Sequence, residues 1–129
     1  MTEVYDFLKK CGAFYLAAME GEQPRNRPFG TIEIFEEKLY IQTGKNKPCF
    51  AQMNGKKIEI CAFDGTQWLR LCASAISDER REPKAHMLEN YPQLKAMYSA
   101  DDENTAVLYL KDATATFESR GAAPRVIKF

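Results

Sequence analysis

Apolar side chains recur along this chain with two different periods, and the switches between them set the expected elements. Val4, Phe7 and Leu8 share one face at helical spacing, which predicts a short amphipathic helix over residues 1–10, closed by Gly12. Residues 13–19 are apolar and aromatic up to a turn at Gly21 and predict a first strand. Over residues 27–35, Ile32 and Ile34 alternate with Thr31 and Glu33, which predicts a second strand. A tight turn at Glu36-Glu37-Lys38 returns the chain as a partner strand over residues 39–43. After a polar turn, a short helix is expected over residues 48–53, with Pro48 at its first position and Asn54-Gly55 at its end. Residues 57–63 and 67–76 predict two long strands joined at the hairpin dipeptide Asp64-Gly65. A helical region runs from Ser77-Asp78 to Tyr98, interrupted at Tyr91-Pro92, where a second helix starts. Residues 106–111 and 114–118 predict a last hairpin, and the tail from Gly121 reads as coil with at most a terminal extension. The expected fold is mainly β (α+β): about six antiparallel strands with short peripheral helices, forming a closed or split barrel. A barrel is preferred to a sandwich because so short a chain would otherwise have several sheet edges to protect.

Composition narrows the class. The 129 residues suit one domain spanning 1–129, able to bury about two-thirds of its unfolded surface. At 45% hydrophobic and 28% charged residues the chain is neither disordered nor fibrous. Its apolar runs fall well short of the roughly 20 residues that cross a bilayer. Acidic Glu3 and Asp6 stand where a signal peptide would be basic, so a cytoplasmic protein without membrane partners is expected. Eighteen basic residues against 18 acidic ones give zero net charge, which argues against a duplex-DNA binder. Cys11, Cys49, Cys61 and Cys72 form no Cys-x-x-Cys pair and read as small buried apolar groups, with no metal site expected.

Three segments carry candidate chemistry. In Pro24-Arg25-Asn26-Arg27-Pro28-Phe29-Gly30, two arginines offer planar forks for a phosphate or a ring carbonyl, and Pro28 withholds an N–H from any ladder. The same residues also suit an ordinary solvated loop. From Lys38 to Lys57 the chain has five lysines and no acidic residue, and Thr43, Lys45, Asn46, Lys47 and Gln52 gather around a strand end and a helix start. That combination favours a phosphate dianion, although a solvent-exposed lysine-rich turn would look alike. It is not a Walker loop. In Gln67-Trp68-Leu69-Arg70-Leu71, Trp68 and Arg70 share one strand face and suit an aromatic ligand, a subunit contact or core packing. His86 is the single histidine, set in a helical stretch, and no Gly-x-Ser-x-Gly elbow occurs. Asp101-Asp102-Glu103 reads as a solvated loop. Chemistry borrowed from a cofactor is the natural inference.

In order and spacing these segments resemble the pyridoxamine 5′-phosphate oxidase-like, FMN-binding split-barrel family, in its short general-stress-protein form. The resemblance runs from Arg25-Asn26-Arg27-Pro28-Phe29-Gly30 through Leu39-Tyr40-Ile41-Gln42-Thr43, Lys45-Asn46-Lys47 and Ala51-Gln52-Met53. It continues through Trp68-Leu69-Arg70-Leu71-Cys72-Ala73, His86-Met87-Leu88 and Pro92-Gln93-Leu94-Lys95, then Ala106-Val107-Leu108-Tyr109-Leu110 and Thr114-Ala115-Thr116-Phe117. It implies a six-stranded antiparallel split β-barrel and a homodimer with FMN in a cleft at the subunit interface. Arg27, Pro28 and Phe29 would lie along the flavin ring and ribityl chain, Arg25 would be a further cofactor-binding residue, and Thr43, Lys45, Asn46, Lys47 and Gln52 would hold the phosphate. Trp68, Arg70 and Thr116 would lie near the interface. Ala73 stands where the family commonly has glycine, and the C-terminal Arg/His segment of the true oxidases has no counterpart here, so vitamin B6 oxidation is not expected. The implied function is a flavin-dependent oxidoreductase in which positive charge from Arg27 or a lysine stabilises negative charge on the ring. The alternatives are a non-catalytic binder of FMN or another flat cofactor, such as a deazaflavin or haem, and a single-stranded nucleic-acid barrel. Neutral charge argues against the last, so no nucleic-acid partner is expected.

Overall fold

Alternation of inward and outward side chains decides which face of each strand meets the core. The computed structural model describes residues Met1–Phe129. Helix α1 (Thr2–Cys11) leads into β1 (Phe14–Glu20), where Phe14, Leu16 and Ala18 point inward and are buried. Then follow β2 (Gln23–Phe29), β3 (Ile32–Phe35), β4 (Lys38–Gly44), α2 (Pro48–Met53), β5 (Lys56–Phe63) and β6 (Gln67–Asp78). Helix α3 (Arg81–Asn90), a short 3₁₀ helix (Pro92–Ala96), β7 (Thr105–Ser119) and β8 (Arg125–Lys128) complete the chain. All strand pairs are antiparallel in one sheet of order β2-β1-β5-β6-β7-β4-β3, with β8 added to β7. β2 and β3 are its edges and do not pair with each other, so the sheet is a split barrel, open along one seam. Val4, Phe7 and Leu8 of α1 join Leu16, Ile60, Leu69, Leu71 and Leu108 in the main core. Phe7 meets Phe117 edge to face with ring centroids 5.4 Å apart. A smaller cluster on the opposite face packs Met87 of α3 against Tyr40 and Val107. No helix is long and apolar enough to cross a membrane.

The sheet has eight strands where six were expected, and each difference has a physical cause. Residues 27–35 read as one strand, but the chain breaks at Gly30-Thr31 because it leaves one sheet edge there and joins the other. Phe29 is opposite Phe14 on β1, whereas Ile32 is opposite Ile41 on β4. The expected hairpin over 106–118 is a single 15-residue strand with a bulge opposite Cys72 and Ser74. Asp112 alone takes a left-handed φ of 52°, whereas a two-residue hairpin turn of type I′ needs two such residues in a row. β6 runs on to Asp78, so α3 starts at Arg81 and not at Ser77, and the second helix is only a 3₁₀ segment. The tail is not coil: Val126 and Ile127 pair with Thr116 and Ala115. Burial of all four cysteines also fails, since strand alternation turns Cys61 and Cys72 outward, while Cys11 is half-buried and only Cys49 is buried.

Tyr91 fixes the start of β3. Its hydroxyl donates to the Ile32 carbonyl at 3.0 Å, accepts from the Ile32 N–H at 3.2 Å, and accepts from Lys9 Nζ at 2.8 Å. An edge strand has no second neighbour for these backbone groups, so one phenol satisfies both. Tyr91→Phe is expected to cost about 1–2 kcal/mol in urea unfolding, because it leaves those groups to solvent or unpaired.

Candidate functional site

The seam between the two sheet edges opens into a cavity of about 680 Å³. β2 supplies one wall: Arg25, Arg27 and Phe29 alternate onto the same face, with Pro28 and the crossover residues Gly30 and Thr31 at the margin. The facing wall comes from Gln42 and Thr43 of β4, with Lys47 just before α2 and Pro48, Cys49 and Gln52 within it. Glu20 closes one end, and Leu94, Met97 and Tyr98 close the other. At Gly44, where β4 meets that last group, three polar side-chain ends approach the backbone closely. A Cβ there would stand 2.8 Å from Asn46 Oδ1 and 3.1 Å from both the Tyr98 hydroxyl and Asn104 Nδ2.

Charge is distributed unevenly in this cavity. Arg25, Arg27 and Lys47 face a single carboxylate, Glu20. Arg27 Nη2 donates to Gln52 Oε1, but Arg27 Nη1 is buried and has no partner. A desolvated guanidinium N–H without an acceptor is costly, so this atom marks where an acceptor belongs. Lys47 makes no ion pair within 4.0 Å although its neighbour Lys45 does. Thr43 Oγ1 lies 3.5 Å from Cys49 Sγ, and Gln42, also buried, donates from Nε2 to the Thr43 carbonyl at 3.0 Å. The cavity combines three cations, one carboxylate, the hydroxyls of Thr31, Thr43 and Tyr98 and two carboxamides with apolar Phe29, Cys49, Leu94 and Met97. That is the lining suited to a flat heterocycle carrying an anionic tail.

Seven of the residues singled out from sequence therefore converge: Arg25, Arg27, Pro28, Phe29, Thr43, Lys47 and Gln52. Lys45 and Asn46 do not line the cavity. Lys45 pairs with Glu79, holding that carboxyl below its ordinary range, and the Asn46 amide donates to Asn104 Oδ1 at 2.9 Å. Trp68, Arg70 and Thr116 stand on the outward face of the sheet. Trp68 Nε1 donates to Glu118 Oε2 at 2.9 Å, and Arg70 sits 3.7 Å from both Glu59 and Glu118. Sequence reasoning missed Glu20, Gln42, Leu94, Met97 and Tyr98 as lining residues. A buried glutamine within the apolar strand 39–43 was a readable signal; the 3₁₀ segment, remote in sequence, offered none.

No family model matches the chain, and no curated protein matches it. Solved structures do. A NimC/NimA family protein from Clostridium acetobutylicum is 44% identical, with 100% of this chain and 92% of that one covered at a TM-score of 0.94. General Stress Protein 26 from Bacillus anthracis is 13% identical, with coverage of 99% and 97% and a TM-score of 0.77. The general stress FMN/FAD binding protein from Xanthomonas citri is 16% identical, with coverage of 95% and 93% and a TM-score of 0.69. The last two share the fold of the pyridoxamine 5′-phosphate oxidase-like split barrels, and the first shares both fold and sequence over all of this chain. The chain therefore belongs to the NimC/NimA family and has the split-barrel fold.

Proposed function

We propose that this protein is an FMN-binding flavoprotein that works as a homodimer and serves as an oxidoreductase. The observation that carries the reading is the partnerless Nη1 of Arg27, buried in a cavity that also holds Arg25 and the unpaired Lys47. Arg25, Lys47, Thr43 and Gln52 would hold the phosphate, and Arg27, Pro28 and Phe29 would lie along the ring and its ribityl chain. The bound flavin would supply two-electron transfer. Positive charge from Arg27 would favour negative charge building on the ring. The flavin-binding neighbour from Xanthomonas citri supports a flavin in general; the choice of FMN rests on the cationic end of the cavity.

Pairing of two copies has its own support. Register places Tyr15, Cys61, Arg70, Thr116 and Val126 in one outward row across β1, β5, β6, β7 and β8. Phe63 and Trp68 stand beside it, and Tyr15, Phe63 and Val126 are more than half exposed, at 51%, 62% and 56%. Apolar side chains grouped this way on a strand face suit a subunit contact. A carrier that binds FMN without turnover is favoured by one feature, the lack of any histidine in the cavity lining.

Protein loaded with FMN should be yellow and elute at twice 14.7 kDa, and NADH or NADPH should bleach the flavin if it is an oxidoreductase. Lys47→Ala is expected to weaken FMN about 10-fold and riboflavin hardly at all, since one charge-assisted contact to phosphate is lost. Equal losses for the two ligands in a fluorescence titration would place Lys47 away from the phosphate. Colourless protein without FMN affinity would end the proposal.

A further inference from the structure

Glu20 is the one acidic residue lining the cavity, and a phosphate site has no evident use for it. Its two oxygens are held by the groups that would otherwise hold an anion. Oε1 accepts from Arg25 Nε at 3.0 Å and Nη2 at 2.9 Å, and Oε2 accepts from Gln52 Nε2 at 3.3 Å. Gln52 Oε1 accepts in turn from Arg27 Nη2. One wall is thus a chain, Arg25–Glu20–Gln52–Arg27, with the carboxylate in the middle. The β1–β2 hairpin builds it locally, because Glu20 ends β1 and Arg25 stands on β2 just beyond the Gly21 turn.

We infer that Glu20 is a built-in competitor for the anion-binding groups, occupying the Arg25 fork and the Gln52 amide until a phosphate monoester displaces it. The inference rests on the reading of this cavity as the FMN phosphate site. A phosphate monoester carries about −1.5 to −2 charge and three acceptor oxygens, more than one carboxylate offers, so it wins the fork. The displaced carboxylate remains tethered at the end of β1, close enough to repel it. Side-chain exposure of 53% for Arg25 and 51% for Glu20 lets the carboxylate swing to solvent without disturbing the core. A ligand without phosphate has no cause to open the chain. Glu20 therefore weakens FMN specifically and keeps it exchangeable.

Glu20→Gln keeps the shape and one acceptor oxygen for the Arg25 fork, turns the other oxygen into a donor amide, and removes the charge. FMN and riboflavin are titrated into wild type and variant by flavin fluorescence at low ionic strength, and FMN dissociation is followed by stopped flow. The variant should bind FMN about 5-fold tighter, the scale of one exposed ion pair, release it more slowly by a similar factor, and bind riboflavin unchanged. Unchanged or weaker FMN binding would overturn the inference, the weaker case making Glu20 a support that orients Arg25. Equal tightening of riboflavin would overturn it as well. If wild type itself binds no FMN, the phosphate-site reading fails first, which is a distinguishable result.

Discussion

Arg27→Met should lower FMN affinity by about 100-fold while leaving the melting temperature nearly where it was. Both halves of this expectation come from one atom. Arg27 Nη1 is buried without an acceptor, so the free protein carries the desolvation cost of an unmade hydrogen bond. Removing the guanidinium removes that cost, which offsets the lost bond from Nη2 to Gln52. The ligand-bound state, in contrast, loses a charge-assisted bond made in a water-poor site, worth about 1.5–3 kcal/mol. Calorimetry alongside fluorescence titration separates the two quantities. Wild-type affinity in the variant would mean that the cavity holds its ligand elsewhere, and a large drop in stability would mean that Arg27 is a structural residue.

Asp78→Asn removes about 2 kcal/mol of stability at neutral pH. Asp78 ends β6 with its side chain only 9% exposed, where it accepts from the Tyr40 hydroxyl at 2.8 Å and from Arg80 Nη2 at 2.9 Å and Nε at 3.1 Å. The Arg80 guanidinium, helped by the Tyr40 hydroxyl and the Arg80 amide, holds the carboxyl down at about 2. Burial, with Asp78 as neighbour, pushes the Tyr40 phenol up. A folded-state pKa below the unfolded value stabilises the protein fully above about pH 4, and that contribution drains away as pH falls towards 2. Urea unfolding should therefore show wild type ahead of the variant at pH 7 and the gap mostly closed at pH 2.5. Asp64, held at about 2 by Lys10 and the Gln67 and Thr66 amides, titrates over the same range, so the variant keeps part of its acid sensitivity. A pH-independent gap would assign the loss to packing and not to charge.

What could be read from the sequence, and what could not, divides by sequence distance. α1, α2 and the β5–β6 hairpin follow from local periodicity and turn chemistry, and they stand within a residue or two of the expected positions. The break at Gly30-Thr31 was hidden because Thr31, Ile32, Glu33 and Ile34 alternate as smoothly as one strand. Only pairing with partners on opposite margins of the sheet reveals two. The bulge at Asp112 imitates a turn for the same local reason. In the site, Arg25 and Arg27 were legible from the chemistry of their side chains, while the strand that sets them on one face with Phe29 starts at Gln23, four residues before the expected one. Lys45 and Lys47 belong to a turn, where neighbouring side chains diverge, and the partner that draws Lys45 away, Glu79, is 34 positions along the chain.

The Gly30-Thr31 crossover has a mechanical corollary. The arginines hang from one margin of the sheet and Thr43 from the strand next to the other, with no ladder of amides tying those margins together. A ligand gripped from both sides is a strut across a gap that the fold leaves unlaced, and its binding free energy adds directly to resistance against unzipping. Loss of the ligand and loosening of the two margins are then a single event seen from two sides.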